Sequence, residues 1–328
     1  MKVLLLGATG LLGHNVLLRL IADGHQVVAL VRRSDGIRLP QGGWQTLVGS
    51  PLDYATLCRA AEGCDALVNC AGITDMSLCR LDDYLPVNRD LPAMLVRLME
   101  EHGIGILVHT STANAMGYGT AEHPADESTP MQPPFTDSFY AQSKLLGEQV
   151  VIDAAHRHSD WHVVVLNPGF MLGPCDVKPS SGRMLLASYR RPVMFAPCGG
   201  KAFVAVQDVA EAAVNALTLG ENGGRYLVTN STGCLTVGDL YRMQADCCGY
   251  RQRVLTLPNW LMAMAGRIGD LLRATGLRTE LSSRNVRQLQ VCEYYDNRLG
   301  RSALHYSETP IAQAVSDFHQ WRKEIHKI

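Results

Sequence analysis

The chain has 328 residues, enough for one large domain or two unequal ones, and its 47% hydrophobic and 19% charged residues are typical of a globular fold. Its formal net charge is −1 without any basic block, which argues against nucleic acid or an anionic membrane surface as the main partner. Ten cysteines at irregular spacing, with no CxxC pair, favour reduced thiols over a disulfide framework or a zinc site.

Nothing in the sequence predicts insertion into a membrane. The apolar run from Val3 to Leu6 is too short for a signal peptide, and no later stretch is long and apolar enough to span a bilayer. Residues 258–277 could form a membrane-surface helix, but their glycines and modest charge favour a helix packed within the protein. Together with the reduced cysteines, this predicts a cytoplasmic protein that does not insert into a membrane, has no nucleic-acid partner and acts on a small-molecule substrate.

Along residues 1–230, short runs of consecutive apolar residues alternate with longer stretches in which apolar residues recur at helical spacing. The runs predict strands at 3–6, 26–31, 44–50, 65–72, 104–111, 162–169 and 225–229. The periodicity predicts helices at 11–24, 54–63, 91–103, 137–150 and 206–220, and Asp208 and Glu211 have the spacing of a capping box in the last of these. This alternation predicts an α/β fold, namely a doubly wound parallel sheet of the Rossmann type.

Three glycines mark the turn between the first strand and the first helix. Gly7, Gly10 and Gly13 lie in GATGLLG, with the spacing GxxGxxG rather than GxGxxG. Glycines also serve ordinary tight turns. Between a strand and a helix, however, they let the backbone approach the pyrophosphate of a dinucleotide, which the positive end of the helix dipole attracts.

A tyrosine and a lysine stand four residues apart in DSFYAQSKLLGEQV, residues 137–150. Asp137 or Ser138 can cap this helix, and the spacing places Tyr140 and Lys144 on the same helical face. An isolated YxxxK is best interpreted as a solvated surface pair. The interpretation of this pair therefore depends on the motifs around it.

Taken together, these motifs resemble the extended branch of the short-chain dehydrogenase/reductase superfamily, which contains the NAD-dependent epimerases and dehydratases. The resemblance covers the chain to residue 230. It is carried by GATGLLG, SPLDY, NCAG, VNRD, HTSTANAMG, YAQSK and NPGFMLGP, in that order. Each motif alone is a modest signal, but the ordered set is a strong one.

The resemblance implies a catalytic set without a metal ion. Tyr140 would be the general acid or base at a substrate carbonyl or alcohol. Lys144 would lower the pKa of Tyr140 and bind the nicotinamide ribose. Thr112, five residues before Gly117, would orient the substrate oxygen, with Ser111 as the second choice.

The resemblance also implies how a dinucleotide is bound. Asp53 would bind the adenine amino group or simply cap the helix after it, and Asn88 either matches the family's asparagine or caps its own following helix. Ala71 and Gly72 would line the middle of the cofactor or merely end a strand. The implied cofactor-binding residues are Gly7, Thr9, Gly10, Leu11, Leu12, Gly13, Arg32, Arg33, Asp53, Ala71, Gly72, Tyr140, Lys144, Pro168 and Phe170.

Two departures from the sugar-nucleotide enzymes of this family narrow the function. Ala113 and Asn114 follow Thr112, where dehydratases carry an Asp–Glu pair. Phe170 stands where epimerases carry an asparagine for the nucleotide phosphates, and an apolar side chain cannot satisfy a phosphate. The chain is more similar to dihydroflavonol-reductase-like and 3β-hydroxysteroid-dehydrogenase-like members, which act on apolar carbonyl compounds.

The end of the second strand bears on the choice of cofactor. Val31 replaces the acid that would bind the adenosine ribose hydroxyls, and Arg32 and Arg33 follow it. A guanidinium can bind a 2′-phosphate through paired hydrogen bonds, although Asp35 is near enough to weaken it. We therefore expect NADP as the cofactor, with NAD as the second choice.

We divide the chain into a dinucleotide-binding domain at residues 1–166, rejoined by 206–230, and a smaller substrate lobe at 167–205 and 231–328. In that lobe and beside it, five apolar residues are suited either to a substrate pocket or to the core: Met76, Met116, Phe170, Met171 and Met184. Arg183 could bind an anionic substrate group or lie free on the surface.

The resulting prediction is an NADP-dependent oxidoreductase acting on the carbonyl or alcohol of a small, largely apolar substrate. A nucleotide-sugar epimerase and a non-catalytic dinucleotide sensor are the alternatives. A Ser/His/Asp hydrolase would be a third, but the sequence has no GxSxG elbow. A homodimer is left open.

Overall fold

The architecture is described from a computed structural model covering residues 1–33 and 42–326. Its strands are β1 (Lys2–Leu6), β2 (Gln26–Val31), β3 (Trp44–Val48), β4 (Ala66–Asn69), β5 (Ile106–Thr110), β6 (His162–Pro168), β7 (Phe170–Leu172), β8 (Val193–Ala196), β9 (Gly200–Ala205), β10 (Gly224–Val228), β11 (Cys234–Thr236) and β12 (Arg253–Thr256). Its helices are α1 (Leu11–Ala22), α2 (Tyr54–Ala61), α3 (Leu91–His102), α4 (Phe139–Arg157), α5 (Gly182–Ser188), α6 (Val206–Asn215), α7 (Val237–Cys247), α8 (Asn259–Ala274), α9 (Ser283–Gln288), α10 (Arg298–Leu304) and α11 (Ile311–His326).

Seven strands form one parallel sheet in the order β3-β2-β1-β4-β5-β6-β10. The chain builds outward from β1 in one direction, then returns and builds outward from β4 in the other. The carboxyl ends of β1 and β4 therefore flank the topological switch point, where open α/β sheets bind their ligands. The predicted doubly wound Rossmann-type sheet is confirmed.

Both faces of this sheet are covered by helices. Along β1, Val3 and Leu5 face a core completed by α1 and α6, whereas Leu4 and Leu6 face a core completed by α2, α3 and α4. Since alternate residues point to opposite faces, a strand buried on both sides must be apolar throughout. This explains the unbroken apolar runs of the sequence.

Smaller sheets lie in the remainder of the chain. Strands β7, β9 and β11 form a three-stranded sheet, and β8 pairs with β12. Helices α7 and α11 pack beside the three-stranded sheet around Phe203 and Phe318, which are fully buried. Leu304 and Tyr306 pack in the core of the main sheet. The predicted lobe boundaries stay a prediction.

The predicted capping box of α6 is wrong. The helix begins at Val206, which places Asp208 inside its first turn rather than at the cap. The Asp208 carboxylate instead accepts hydrogen bonds from the backbone and the hydroxyl of Thr309, and Glu211 accepts one from Ser307. Both acids therefore fasten the C-terminal segment to α6.

In the part of the chain that the structure describes, no helix combines the length and the apolarity needed to cross a bilayer.

A close backbone approach fixes α4 against the segment Pro86–Asp90, a π-helical turn that precedes α3. A side chain at Gly147 would overlap the carbonyl oxygen of Asn88. Only glycine fits this contact, so Gly147 sets the distance between α4 and the turn.

We expect Gly147→Ala to destabilise the protein by about 1–3 kcal/mol, because overpacked cores can relax only by shifting backbone. Gly105→Ala is the matched control, since its new methyl group would meet only the carbonyl oxygen of Asp160, at 4.0 Å. Urea unfolding midpoints measure both. Equal midpoints for the two variants would contradict this account of α4 packing.

Candidate functional site

The turn after β1 brings the predicted glycines together. Gly7 has a φ of +84°, and a side chain there would meet the backbone of Cys70 at 2.6 Å and that of Ala71 at 2.7 Å. A side chain at Gly13 would overlap the carbonyl of Gly7, whose oxygen accepts a 2.9 Å hydrogen bond from Gly10. These contacts require small residues and leave the turn tight against the end of β4.

The first turn of α1 starts from Gly10, and no side chain in the described residues caps it. Its leading amide groups therefore keep their donor capacity, which suits a diphosphate group lying at the helix end. The other predicted contacts of this turn, Thr9, Leu11 and Leu12, belong to the same segment. The turn thus fits the pyrophosphate of a dinucleotide.

The residues expected at the adenosine end lie at the same edge of the sheet. Leu6 pairs with Leu30, so Val31 lies beside the glycine turn, and Arg32 and Arg33 follow it on the exposed surface. Residues 34–41, among them Asp35, lie outside the described residues.

Asp53 occupies the N-cap position of α2, but its side chain makes no capping hydrogen bond to the helix. Its carboxylate accepts a hydrogen bond from the Thr56 hydroxyl, which holds the pKa of Asp53 below its usual range. Binding of adenine by this carboxylate stays a prediction.

Lys144 lies at the centre of the candidate site. Its ammonium group is buried and donates a 2.6 Å hydrogen bond to the carbonyl oxygen of Thr110, at the end of β5. A side chain added at Gly72 would stand 3.7 Å from this nitrogen. Lys144 therefore lies between the ends of β4 and β5, beside the switch point of the sheet.

Thr112 and Tyr140 converge on this position. Thr112 follows β5, is buried, and accepts a 3.3 Å hydrogen bond from the backbone of Asn114. Ser138 caps α4, as one of the two predicted residues, and sets Tyr140 in its first turn. The predicted set Thr112, Tyr140 and Lys144 is brought together, while its catalytic roles stay predictions.

The ionisation of this set is governed by burial. Burial raises the pKa of Tyr140, and the Thr112 side chain partly opposes the rise. Burial lowers the pKa of Lys144 to about 8, against the opposing influence of Glu148. The direction for Tyr140 is opposite to the one expected from a neighbouring ammonium group: burial disfavours the phenolate, and the opposing influence comes from Thr112 rather than Lys144.

A buried polar network that the sequence analysis missed lies behind Thr112 and Lys144. The Asn167 amide donates hydrogen bonds to the carbonyl oxygen of Thr112 at 3.1 Å and to Glu148 at 2.8 Å. Glu148 is also paired with Arg225 of β10. The four-residue spacing from Lys144 could have identified Glu148, but no local pattern indicates Arg225.

Asn88 ties the loop after β4 to α4. Its side chain exchanges hydrogen bonds with the backbone of Ile73 and donates one of 2.9 Å to the Ser143 hydroxyl. It caps no helix, since it lies inside the turn before α3 and its side chain is directed into the protein. Its alternative interpretation as a helix cap is therefore wrong.

Pro168 and Phe170 lie further along the same edge. Pro168 ends β6 beside Val228. The half-buried ring of Phe170 packs edge to face on Phe203, with 5.4 Å between centroids. Phe170 is thus bound into the three-stranded sheet, and its contact with a cofactor stays a prediction.

A small recess opens beside Tyr140. It is lined by Met76, Leu78, Tyr84, Ser138, Phe139, Tyr140, Arg284 and Asn285. Of the five apolar residues expected at a pocket, only Met76 lines this recess. Met116 is fully buried, and Phe170 and Met184 contact the core around Phe203, as expected of core residues.

Two further expectations concerned charged groups. Arg183 forms a surface ion pair with Glu280 at 2.8 Å. Binding of an anionic substrate group by Arg183 stays a prediction. Within residues 1–33 and 42–326, no group of histidine, cysteine and acidic side chains is arranged to hold a metal ion.

Comparison with known proteins agrees with this geometry. The chain is 29% identical to the sterol demethylase protein B of Methylococcus capsulatus, over 99% of both chains. It is 27% identical to a Synechocystis sp. protein that carries the name of a dihydroflavonol 4-reductase, over 96% of this chain and 92% of the relative.

Among solved structures, that of gox2253 superimposes with a TM-score of 0.83 at 25% identity, covering 100% of this chain and 99% of the other. The model of the NAD dependent epimerase/dehydratase family matches residues 3–229, which include the glycine turn, Thr112, Tyr140 and Lys144. The chain therefore belongs to the NAD dependent epimerase/dehydratase family and is an oxidoreductase-type enzyme within it.

Proposed function

We propose that the protein is an NADPH-dependent reductase that converts a small, largely apolar ketone or aldehyde to its alcohol, and can run in reverse. The observation that carries the proposal is the position of Tyr140 in the wall of a recess whose lining includes the apolar side chains of Met76, Leu78 and Phe139. A proton donor beside apolar side chains suits a carbonyl group on an apolar body.

When bound, NADPH supplies the hydride that adds to the carbonyl carbon. Tyr140 gives its proton to the carbonyl oxygen as the alcohol forms. Its raised pKa keeps the phenol protonated at neutral pH, which is the state that reduction requires. Thr112 orients the oxygen by a hydrogen bond, and the ammonium group of Lys144 compensates the tyrosinate left behind.

A reductase is favoured over a dehydratase by the residues after Thr112, and over an epimerase by those of β7. Ala113 and Asn114 carry no carboxylate for the elimination of water, and Phe170 packs on Phe203 instead of offering a polar group to a nucleotide phosphate. The sterol in the name of the Methylococcus relative supports a polycyclic, apolar substrate. A ketone of a sterol-like ring system is our first choice.

NADPH is preferred to NADH in this proposal because of the end of β2. Val31 is apolar and buried, so it neither binds ribose hydroxyls nor repels a phosphate. Arg32 is exposed directly after it. The guanidinium group is free to turn toward a 2′-phosphate at the adenosine end of the cofactor.

The function is tested with purified protein, NADPH and a panel of aromatic and steroid-like ketones. We expect one NADPH oxidised for each alcohol formed. Tyr140→Phe should lower kcat by at least ~100-fold with nearly unchanged cofactor affinity, the usual loss when a general acid is removed. Lys144→Met should weaken cofactor binding as well as kcat.

Phe139→Leu is the matched control, because it alters the recess wall without removing a proton donor. Near-native kcat in Tyr140→Phe would remove the phenol from the mechanism. Tightly bound NAD together with redox-neutral interconversion of a nucleotide sugar would replace the reductase by an epimerase.

We expect kcat/KM to be roughly tenfold to hundredfold higher with NADPH than with NADH. This ratio corresponds to the free energy that a charged hydrogen bond to phosphate contributes. Arg32→Ala should reduce this ratio toward one. Arg298→Ala is the control, since that side chain, at the start of α10, is 88% exposed and paired with Asp296. A native ratio below one, or a ratio unchanged in Arg32→Ala, would show that Arg32 does not contact the phosphate.

The rate of carbonyl reduction should fall as the pH rises through about 8, because Lys144 loses its positive charge there. The phenol, with its raised pKa, stays protonated in this range. Because Glu148 raises the pKa of Lys144, Glu148→Gln should move the fall to lower pH. Profiles of kcat against pH measure the shift, with Glu101→Gln on the exposed side of α3 as the control. A profile that Glu148→Gln leaves in place would assign the fall to another group.

A further inference from the structure

The outward face of α8 is apolar over its whole length. Trp260, Met264, Ile268 and Leu271 are 64%, 49%, 54% and 69% exposed, and their spacing places them on one side of the helix. The opposite side, with Met262 and the two glycines of the helix, is buried. A helix that packs through its narrow glycine side and shows large apolar side chains to solvent has the pattern of a surface-binding helix.

The charge around this face is positive, although the chain as a whole carries −1. Residues 251–281 contain five arginines and only two acids. Both acids are engaged, Asp270 by the backbone of Ser283 at 3.0 Å and Glu280 by the ion pair with Arg183. The segment thus has three more arginines than acids, and Arg267 and Arg278 are exposed.

The buried side of α8 leads directly to the recess at Tyr140. Gly266 and Gly269 allow the backbone of Ser283 and Leu281 to lie against α8, and α9 begins there. The next residues, Arg284 and Asn285, line the recess. The recess thus lies behind α8, with the start of α9 between them.

The end of α8 is also bonded to the other wall of the recess. Arg273 donates hydrogen bonds to the carbonyl oxygens of Thr279 and Met76 at 2.7 and 2.9 Å. Asn285 donates a second one to Met76, at 2.9 Å. A displacement of α8 would therefore be transmitted to the residues around Tyr140.

We propose that the outer face of α8, formed by Trp260, Met264, Ile268 and Leu271, docks on the surface of an anionic lipid bilayer and brings the recess to substrate dissolved in that bilayer. Apolar side chains would enter the acyl boundary, with the arginines at the level of the anionic headgroups. The docking surface itself is independent of the reaction. Its role in substrate delivery rests on the proposed apolar substrate.

A second copy of the chain is a less suitable partner for the outer face of α8 than an anionic bilayer. A twofold contact through α8 would bring the same arginines of both copies toward one another, and like charges at a contact oppose association. The net charge of the whole chain argued against a membrane surface. That sum includes acids elsewhere in the chain, which offset the local excess of arginine in residues 251–281.

The test is flotation of the full-length protein with vesicles of phosphatidylcholine alone and with roughly a third of phosphatidylglycerol added. We expect binding to the anionic vesicles that weakens with salt. Brominated acyl chains should quench tryptophan fluorescence in the native protein but not in Trp260→Phe, because Trp161 is buried and Trp44 and Trp321 lie on other elements.

Ile268→Glu and Leu271→Glu should each weaken vesicle binding at least roughly tenfold, since a carboxylate is costly at the acyl boundary and repelled by anionic lipid. Leu299→Glu on α10 is the control, because Leu299 is 51% exposed outside this face. Reduction of a short, water-soluble ketone should be the same in all three variants, which verifies their folding.

Equal vesicle binding by native protein and Leu271→Glu, or no binding by the native protein, would overturn the docking surface. So would a lipid-free dimer that Leu271→Glu converts to monomer, because a second copy would then cover the face. Vesicle binding without reduction of any ketone would support the surface and refute the proposed reductase, so the two failures are distinguishable.

Discussion

The buried ammonium group of Lys144 is the interaction on which the arrangement of the site depends. A charge inside a protein is tolerated only when hydrogen bonds and opposite charge replace its water. Here the carbonyl oxygen of Thr110 accepts one hydrogen bond, and Glu148, one turn further along α4, supplies the opposite charge. The hydrogen bond to Thr110 requires α4 to lie close to the end of β5. Gly147, where a side chain would overlap the carbonyl oxygen of Asn88, fixes how closely α4 packs against the turn before α3.

A network of buried polar and charged side chains connects the site to the edge of the main sheet. Glu148 accepts from Asn167 of β6 and is paired with Arg225 of the edge strand β10. Asn167 in turn holds the backbone of Thr112. A buried carboxylate without these donors would be strongly destabilising. The last strand of the sheet therefore contributes to the position of Thr112 although three strands, β4, β5 and β6, lie between it and the switch point.

The alternating elements, the glycine turn and the convergence of Tyr140 with Lys144 could be predicted because each follows from local spacing on a strand or a helix. Arg225 and Asn285 could not, since they reach their positions only through sheet pairing and helix packing between distant segments. The direction of the Tyr140 pKa was misjudged for a related reason. Spacing shows that an ammonium group is near, but burial depends on the whole fold. The exposure of α8 likewise required knowledge of which side its glycines occupy.

Because Gly147 contacts the carbonyl of Asn88, two stretches that are distant in sequence can be replaced by those of a relative only together. Residues 86–90 and 139–157 meet through backbone atoms, so neither can be replaced by the corresponding stretch of a relative with a bulkier contact. Grafting a complete α4 from another member of the family would require its partner turn as well. In chimaeras and in recombination between relatives, the tyrosine–lysine helix and the asparagine turn should be inherited together.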